Sequence, residues 1–150
     1  MELILWRHAD AEDAAPGGSD EERVLTAKGE KQARRMAAWL RRRLPGDCVI
    51  LVSPAHRAQQ TAQALTGRFK TSPAVGAAAG PQSILKAADW PARDGTVVVV
   101  GHQPTLGQAA ALALTGSPAD WSVKKGAIWW LDSRGEADVV VRAVIAPDMV

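Results

Sequence analysis

Five polar side chains stand just after apolar runs of this sequence, and all five can bind or attack phosphate. They are Arg7 and His8 after residues 3–6, Ser53 and Arg57 after residues 49–52, and His102 after residues 97–100. Neutral imidazole is a competent nucleophile toward phosphorus, and the planar guanidinium of arginine matches the oxygen atoms of a phosphate group. Phosphoryl transfer asks a protein mainly for positioning and positive charge. These residue types therefore indicate phosphoryl-transfer chemistry.

The elements around these residues predict that they meet in one pocket. Short apolar runs, bounded by polar residues, glycine or proline, are typical of buried strands. Here they alternate with segments of helical period, which predicts an α/β chain with a mostly parallel sheet. The carboxyl ends of parallel strands share one edge, and ligands of open α/β sheets bind beyond that edge. We therefore expect His8, Arg57 and His102 to converge there.

The predicted elements account for nearly all 150 residues, which leads us to expect a single domain spanning residues 1–150. The strands are predicted at residues 2–6, 48–52, 72–76, 96–100, 125–132 and 138–145. The helices are predicted at residues 26–44, from the capping pair Ser53-Pro54 onward, at 82–89 and at 104–116. The last two strands read as a hairpin, so we expect a mixed sheet with an antiparallel C-terminal pair.

Composition excludes several functional classes. The net charge is only +2, and the single cysteine, Cys48, rules out an intrachain disulfide and a cysteine metal site. No apolar run approaches the roughly 18 residues of a membrane span, so we expect a cytoplasmic protein with no membrane partner. A basic cluster at residues 34–43 lies on the first predicted helix. Because no aromatic stacking platform accompanies it, we expect no nucleic-acid partner.

A metal is also unexpected at this site. His8, His102 and Asp10 could supply three ligands, but the two neighbouring arginines would repel a cation, and a site needs three or four convergent ligands. We therefore expect neither a metal nor another cofactor.

Four segments carry a family resemblance, in order along the chain: Arg7-His8-Ala9, residues 25–33 (LTAKGEKQA), residues 53–62 (SPAHRAQQTA) and residues 101–104 (GHQP). They resemble the signature segments of the histidine phosphatase superfamily, which has the phosphoglycerate mutase-like fold. The resemblance implies a three-layer α/β/α sandwich. It also implies that His8 is the phosphate-accepting nucleophile, that Arg7, Arg57 and His102 complete the phosphate pocket, and that Ser53 shapes the start of the following helix.

One departure from the family pattern bears on the substrate. Larger members carry a carboxylate general acid after the third strand, but residues 75–86 contain no Asp or Glu. A phosphomonoester expels an alkoxide and benefits from a general acid, whereas a phosphohistidine expels imidazole, whose conjugate acid has a pKa of about 6.5. The missing acid favours a P–N substrate. Asp10, Glu12 and Asp13 remain alternative proton donors, and Asp10 is also a candidate substrate contact.

The chain also leaves no insertion to build a cap over the pocket, and an open pocket suits a phosphate carried by a protein. Both features resemble the short, cap-less phosphohistidine phosphatases of bacteria, the SixA type. We expect a phosphatase acting on a phosphohistidine-containing protein, such as a phosphotransfer or phosphocarrier domain. Two alternatives stay open at this point: a phosphomonoesterase of sugar or nucleotide phosphates with Asp10 as acid, and a non-catalytic phosphate-binding module.

Overall fold

A six-stranded mixed sheet forms the centre of the fold. The structure, a computed structural model of the chain, describes residues 1–135 and 137–150. The strands are β1 (Glu2–Arg7), β2 (Val49–Val52), β3 (Lys70–Thr71), β4 (Thr96–Gly101), β5 (Ile128–Ser133) and β6 (Val139–Ile145). The helices are α1 (Ala27–Arg41), α2 (His56–Gln63), α3 (Pro81–Ala87) and α4 (Thr105–Thr115).

The sheet order brings the three strands that precede the polar residues side by side. The order is β3-β2-β4-β1-β5-β6, and β4 pairs in parallel with both β1 and β2. In this register Arg7 lies opposite Gly101, and Val52 lies opposite Val100. The strands therefore end level with one another, which confirms that the residues following them share one edge.

The two faces of the sheet are covered by different helices. Leu3 and Leu5 of β1 pack in a buried cluster with residues of α3 and α4, including Ile84 and Leu106. The alternate residues of β1 join a second cluster with α1 and α2, whose members include Ile4, Trp6, Met36, Leu40, Ala58 and Ala62. Burying one such large apolar side chain contributes about 1.5–3 kcal/mol. Helices on both faces confirm the predicted α/β/α sandwich.

Helix α1 begins beside the end of β1. Thr26 caps it as predicted, because its Oγ1 accepts a hydrogen bond of 2.9 Å from the backbone N–H of Gly29. A Cβ atom on Gly29 would lie 1.9 Å from the backbone oxygen of Asp10, so only glycine permits this approach. The helix start is thereby fixed against the loop that follows the first strand.

Several predicted boundaries were wrong. Helix α1 ends at Arg41 and not at residue 44, and β5 begins at Ile128 and not at residue 125. Residues 72–76 hold a 3₁₀ turn at Pro73–Val75, and β3 is two residues long and lies just before it. Proline lacks the N–H that a strand ladder needs. Helix α2 starts at His56, with Ala55 at the capping position, so Ser53-Pro54 precedes the helix and does not open it.

The C-terminal strands form the predicted antiparallel hairpin. β5 pairs antiparallel with both β1 and β6, and the register of β5 with β6 shifts between Trp130 and Leu131. The sheet is therefore mixed. No helix of the described residues combines the length and the apolar character that a membrane crossing requires.

Candidate active site

A pocket of about 310 Å³ opens at the edge where β1, β2 and β4 end. Its lining comes from the ends of two of these strands and from the loops and helices around them: Arg7, His8, Ala11, Asp20, Arg23, Arg57, Ala77, His102, Gln103 and Lys125. The structure thus brings together Arg7, His8, Arg57 and His102, four of the residues named from sequence. Four of the ten lining side chains are cationic and one, Asp20, is a carboxylate, so the pocket suits an anionic ligand.

The hydrogen bonds of His8 identify its free nitrogen. Nδ1 lies 2.8 Å from the backbone oxygen of Ala9, and because a carbonyl only accepts, Nδ1 carries the proton. Nε2 therefore holds the lone pair, and it accepts a 3.3 Å hydrogen bond from Nε of Arg57. Burial, reinforced by His102 and the nearby arginines, lowers the pKa of His8 to about 3. The imidazole is therefore neutral and nucleophilic at neutral pH.

His102 is oriented by Ser53. Nη2 of Arg57, which can only donate, lies 3.4 Å from Nδ1 of His102. Nε2 therefore carries the proton and donates to Oγ of Ser53 at 2.7 Å. Burial first, and then Arg57, lower the pKa of His102 to about 4. Ser53 is fully buried, and its Oγ also accepts a hydrogen bond of 3.2 Å from the backbone N–H of Ala55, at the capping position of α2. The hydroxyl thus contacts the start of α2, as the resemblance implied, and also orients His102.

The two arginines approach the pocket from different elements. Arg57 lies in the first turn of α2 and is 5% exposed at its side chain. Arg7, at the end of β1, donates from Nη1 to the backbone oxygen of Val123 at 2.8 Å. Its Nε is buried and has no hydrogen-bond partner among the described residues. A buried donor without a partner is uncommon in folded proteins.

Sequence reasoning missed three charged residues of the pocket, Asp20, Arg23 and Lys125, and Asp20 is the one that contacts Arg57. Its Oδ2 accepts from Nη2 of Arg57 at 3.0 Å, and its backbone oxygen accepts from Nη1 at 2.8 Å. Arg23 bonds the other carboxylate oxygen at 3.2 Å. Arg23 and then Arg57 hold the pKa of Asp20 below its ordinary value. The 3₁₀ turn at Asp20–Glu22, within the long loop after β1, brings this carboxylate over the pocket.

Asp10 has a different place from the one proposed for it. One carboxylate oxygen accepts from Oγ1 of Thr26 at 2.7 Å, and the other binds Nζ of Lys125 at 2.8 Å. The hydrogen bond from Lys125, followed by that from Thr26, lowers the pKa of Asp10. Both oxygens thus stabilise the start of α1 and the rim of the pocket. An ionised carboxylate with both oxygens engaged is poorly suited to protonate a leaving group.

The stretch without acidic residues does reach the pocket. Ala77 lines it, just after the 3₁₀ turn at Pro73–Val75, so a methyl group stands where this segment meets the ligand space. Among the described residues, Asp20 is the one carboxylate in the lining. No group of three or more His, Cys, Asp or Glu side chains within residues 1–135 and 137–150 is arranged to hold a metal ion.

The arginines near the end of α1 lie away from the pocket. The helix starts beside Asp10 and runs for 15 residues, about 22 Å at 1.5 Å per residue. At its end Arg41 donates to the backbone oxygens of Ala64 and Leu65, beyond α2. Since α2 starts at the pocket with Arg57, both helices lead away from it. These arginines therefore have no direct access to a ligand bound at His8.

Comparisons with known proteins agree with this geometry. The family model described as "Histidine phosphatase superfamily (branch 1)" matches residues 3–77, half of the chain. An uncharacterized protein of Picosynechococcus sp. is 36% identical over 141 residues, which cover 89% of this chain and 86% of that protein. The phosphohistidine phosphatase SixA of Escherichia coli is 41% identical over 61 residues, 41% of this chain and 37% of that protein.

A solved structure of the protein histidine phosphatase SixA, complexed with tungstate, shares the fold. It superposes with a TM-score of 0.84 at 24% identity and covers 99% of this chain and 98% of that one. The predicted resemblance to the SixA type is confirmed. With the family match over half of the chain and the convergence of His8, Arg7, Arg57 and His102 in one pocket, the chain belongs to branch 1 of the histidine phosphatase superfamily and is a metal-independent phosphatase of the histidine type.

Proposed function

We propose that the protein removes phosphate from phosphohistidine carried by another protein, through a phosphoryl group held transiently on His8. The observation that carries this proposal is the absence of a suitable acid in the described lining. The nucleophile and the cationic groups are present, but the one lining carboxylate, Asp20, is kept ionised by Arg23 and Arg57. An alkoxide leaving group has a conjugate acid with a pKa near that of water, about 16, so its departure needs a proton from a general acid. Imidazole is a much better leaving group and can depart without one.

In the first step, Nε2 of His8 attacks phosphorus and the P–N bond of the substrate breaks. The electron pair of that bond leaves with the substrate ring. If the other ring nitrogen carries a proton, the ring departs as neutral imidazole and takes nothing from the enzyme. The arginines stabilise the charge on the three equatorial oxygens, which is the main catalytic demand of this reaction. Arg57, which is hydrogen-bonded to His8, and Arg7, which lines the same pocket, supply the positive charge.

In the second step, water attacks the phosphoryl group and the bond to Nε2 of His8 breaks. The hydrogen bond from Nδ1 of His8 to the backbone oxygen of Ala9, 2.8 Å long, keeps a proton on the ring throughout. His8 therefore leaves as neutral imidazole, and the proton of the attacking water passes to the phosphate product. Neither step of this sequence calls for a protein carboxylic acid.

The surroundings of the pocket favour a phosphate borne by a protein. Arg23 and Lys125 line it, and their side chains are 26% and 53% exposed. Each of the two is paired with a carboxylate, Asp20 or Asp10, but the four cations that line the pocket outnumber these two carboxylates. An acidic surface next to the phosphohistidine would therefore meet a net positive charge, which speeds encounter between partners. The similarity to E. coli phosphohistidine phosphatase SixA supports the same substrate class.

The test compares substrates that differ in leaving group. Phosphate release is measured, in buffer containing EDTA, from a phosphohistidine-bearing phosphocarrier domain, phenyl phosphate and a panel of sugar phosphates. Phenol resembles the tyrosine side chain, with a pKa of about 10. We expect kcat/KM to fall steeply along this series, and His8→Ala to abolish release. His56→Ala, which removes an exposed histidine beside Arg57, is the matched control.

The alternatives give distinct results. Sugar phosphates hydrolysed as efficiently as the carrier would establish a phosphomonoesterase and a hidden proton donor. Binding of the phosphorylated carrier without release would establish a phosphate-binding module. Either result contradicts the proposal.

A further inference from the structure

The guanidinium of Arg57 is occupied by the protein itself. It donates to Nε2 of His8 at 3.3 Å, to Nδ1 of His102 at 3.4 Å, and to the backbone and carboxylate oxygens of Asp20 at 2.8 and 3.0 Å. Four acceptors thus engage a group that has five N–H donors. The lone pair of the nucleophile is covered by the same guanidinium, so a phosphoryl group can reach His8 only after these contacts rearrange.

The carboxylate of Asp20 takes the place of an anionic ligand on Arg57. A guanidinium fork binds a carboxylate and a phosphate in the same way, through parallel N–H···O bonds. Here Nη2 donates to the carboxylate of Asp20 and Nη1 donates to its backbone oxygen, so the residue occupies both arms of the fork. A bound phosphoryl group and Asp20 therefore compete for the same donors, and two anions at that distance also repel each other.

The loop that carries Asp20 makes few contacts with the rest of the fold that would hold this carboxylate in place. Its base is closed by the hydrogen bond of 2.8 Å from the backbone N–H of Glu12 to the oxygen of Val24, and by the bridge between Ala11 and Leu25. Residues 12–22 are all exposed. In the described structure, the hydrogen bonds that join residues 13–22 to the body of the fold run from Arg57 to Asp20. Displacing Asp20 therefore disturbs little apolar packing.

We propose that Asp20 is a built-in competitor of the substrate phosphoryl group for Arg57, and that it sets the affinity of the pocket for oxyanions and assists the release of phosphate. The inference deepens the proposed function and rests on it. Substrate displaces Asp20 from Nη1 and Nη2 of Arg57, and the released guanidinium can then shift its Nε–H away from Nε2 of His8. After hydrolysis the carboxylate returns to Arg57 and expels the product. Asp20 acts through Arg57 and is a positioning residue in this scheme.

The test is the equilibrium binding of sodium tungstate and of inorganic phosphate, measured by calorimetry on the full chain. Asp20→Asn keeps the size and the backbone carbonyl of the residue but removes the charge. Because the side chain is 62% exposed, the competing ion pair is partly screened, and we expect the Kd of either oxyanion to fall about three- to tenfold. Glu21→Gln, in the same 3₁₀ turn and exposed, removes the same charge and is expected to leave the Kd unchanged.

Kinetics give a second readout that a merely structural role would not produce. For the phosphocarrier substrate, we expect Asp20→Asn to lower KM and the inhibition constant of phosphate by the same factor as the Kd, with no gain in kcat. An unchanged or raised Kd in Asp20→Asn would overturn the inference, as would an equal change in Glu21→Gln. Tungstate is not hydrolysed, so its affinity reports on Asp20 whichever substrate is turned over. If the wild-type protein bound no tungstate at all, the phosphate site itself would be refuted, and with it the proposed function.

Discussion

Lowering the pH from 7 to 5 should destabilise this protein through its two pocket histidines. His8 and His102 are buried, and their pKa values in the folded protein are lowered to about 3 and about 4. In the unfolded chain a histidine has a pKa of about 6.5. Between these values the unfolded state binds more protons than the folded state, so the free energy of unfolding falls as the pH falls through 6.5.

The size of this loss in the free energy of unfolding depends only on how far the histidines are protonated in the unfolded chain. At pH 5 both rings are still neutral in the folded protein, while each is almost fully protonated when unfolded. One pKa unit corresponds to about 1.4 kcal/mol, so 1.5 units below the unfolded pKa amounts to about 2 kcal/mol for each histidine. The expected loss is therefore about 4 kcal/mol, a large share of the stability of a small domain. The lowered pKa values of Asp10 and Asp20 act below pH 4 and lie outside this window.

The assay is urea denaturation at pH 7, 6 and 5 in phosphate-free buffer, because bound phosphate would stabilise the folded state. His8→Gln and His102→Gln should each halve the loss between pH 7 and pH 5. His56→Gln, which removes the exposed histidine, should leave it as in the wild type. A free energy of unfolding that stayed flat over this range, or a loss that neither pocket variant reduced, would refute the burial of neutral histidines.

Three further substitutions test separate contacts. Ser53→Ala leaves the Nε2 proton of His102 without its acceptor, and we expect a loss of about 1–3 kcal/mol in urea denaturation and about a tenfold lower kcat/KM; full activity would show that this hydrogen bond does not orient His102. Asp10→Asn should destabilise the protein by about 1 kcal/mol yet keep phosphohistidine hydrolysis within about twofold, whereas a collapse of activity would identify Asp10 as the acid. Gly29→Ala places a Cβ atom 1.9 Å from a backbone oxygen, and a melting temperature unchanged from the wild type would contradict the expected loss of about 3 kcal/mol.

The framework of the site could be predicted because its signals are local. Apolar runs define β1, β2 and β4, and parallel pairing then forces their ends to one edge. That prediction requires no knowledge of which side chains contact each other across the fold. His8 and His102 follow their strands directly, so their convergence needed only the sheet order.

The parts that could not be predicted depend on tertiary contacts. Asp20 lies in an exposed loop without periodicity, and only the return of the chain from Ala11 to Leu25 brings it over Arg57. The sequence did contain an indication of this contact. The acidic loop after the first strand leaves and rejoins the fold at the pocket edge, so its residues must pass close to the pocket. Ser53 looked like a helix cap, and its hydroxyl does accept from the backbone N–H of Ala55 at the start of α2, but its contact with His102 could not be foreseen. A hydroxyl oxygen has two acceptor lone pairs, and only the fold shows which distant group uses the second.

The direction of α1 was available from the sequence, and it decides whether the basic cluster near the C-terminal end of this helix can contact a substrate bound at His8. A helix that connects two parallel strands of one sheet runs back from the carboxyl edge of that sheet, so the end of this helix must lie far from the pocket. The contacts of Arg41 with residues beyond α2 agree with that direction.

The measurement that tests the central claim most directly is a single-turnover transfer from a ³²P-labelled phosphohistidine carrier, quenched within milliseconds and mapped by peptide mass spectrometry. We predict a transient label on the peptide that contains His8, bound through Nε2, which forms as the carrier loses its phosphate and decays as inorganic phosphate appears. His56→Ala should show the same label, and His8→Ala none. Phosphate release without a labelled intermediate, or a label that persisted in His8→Ala, would contradict the account.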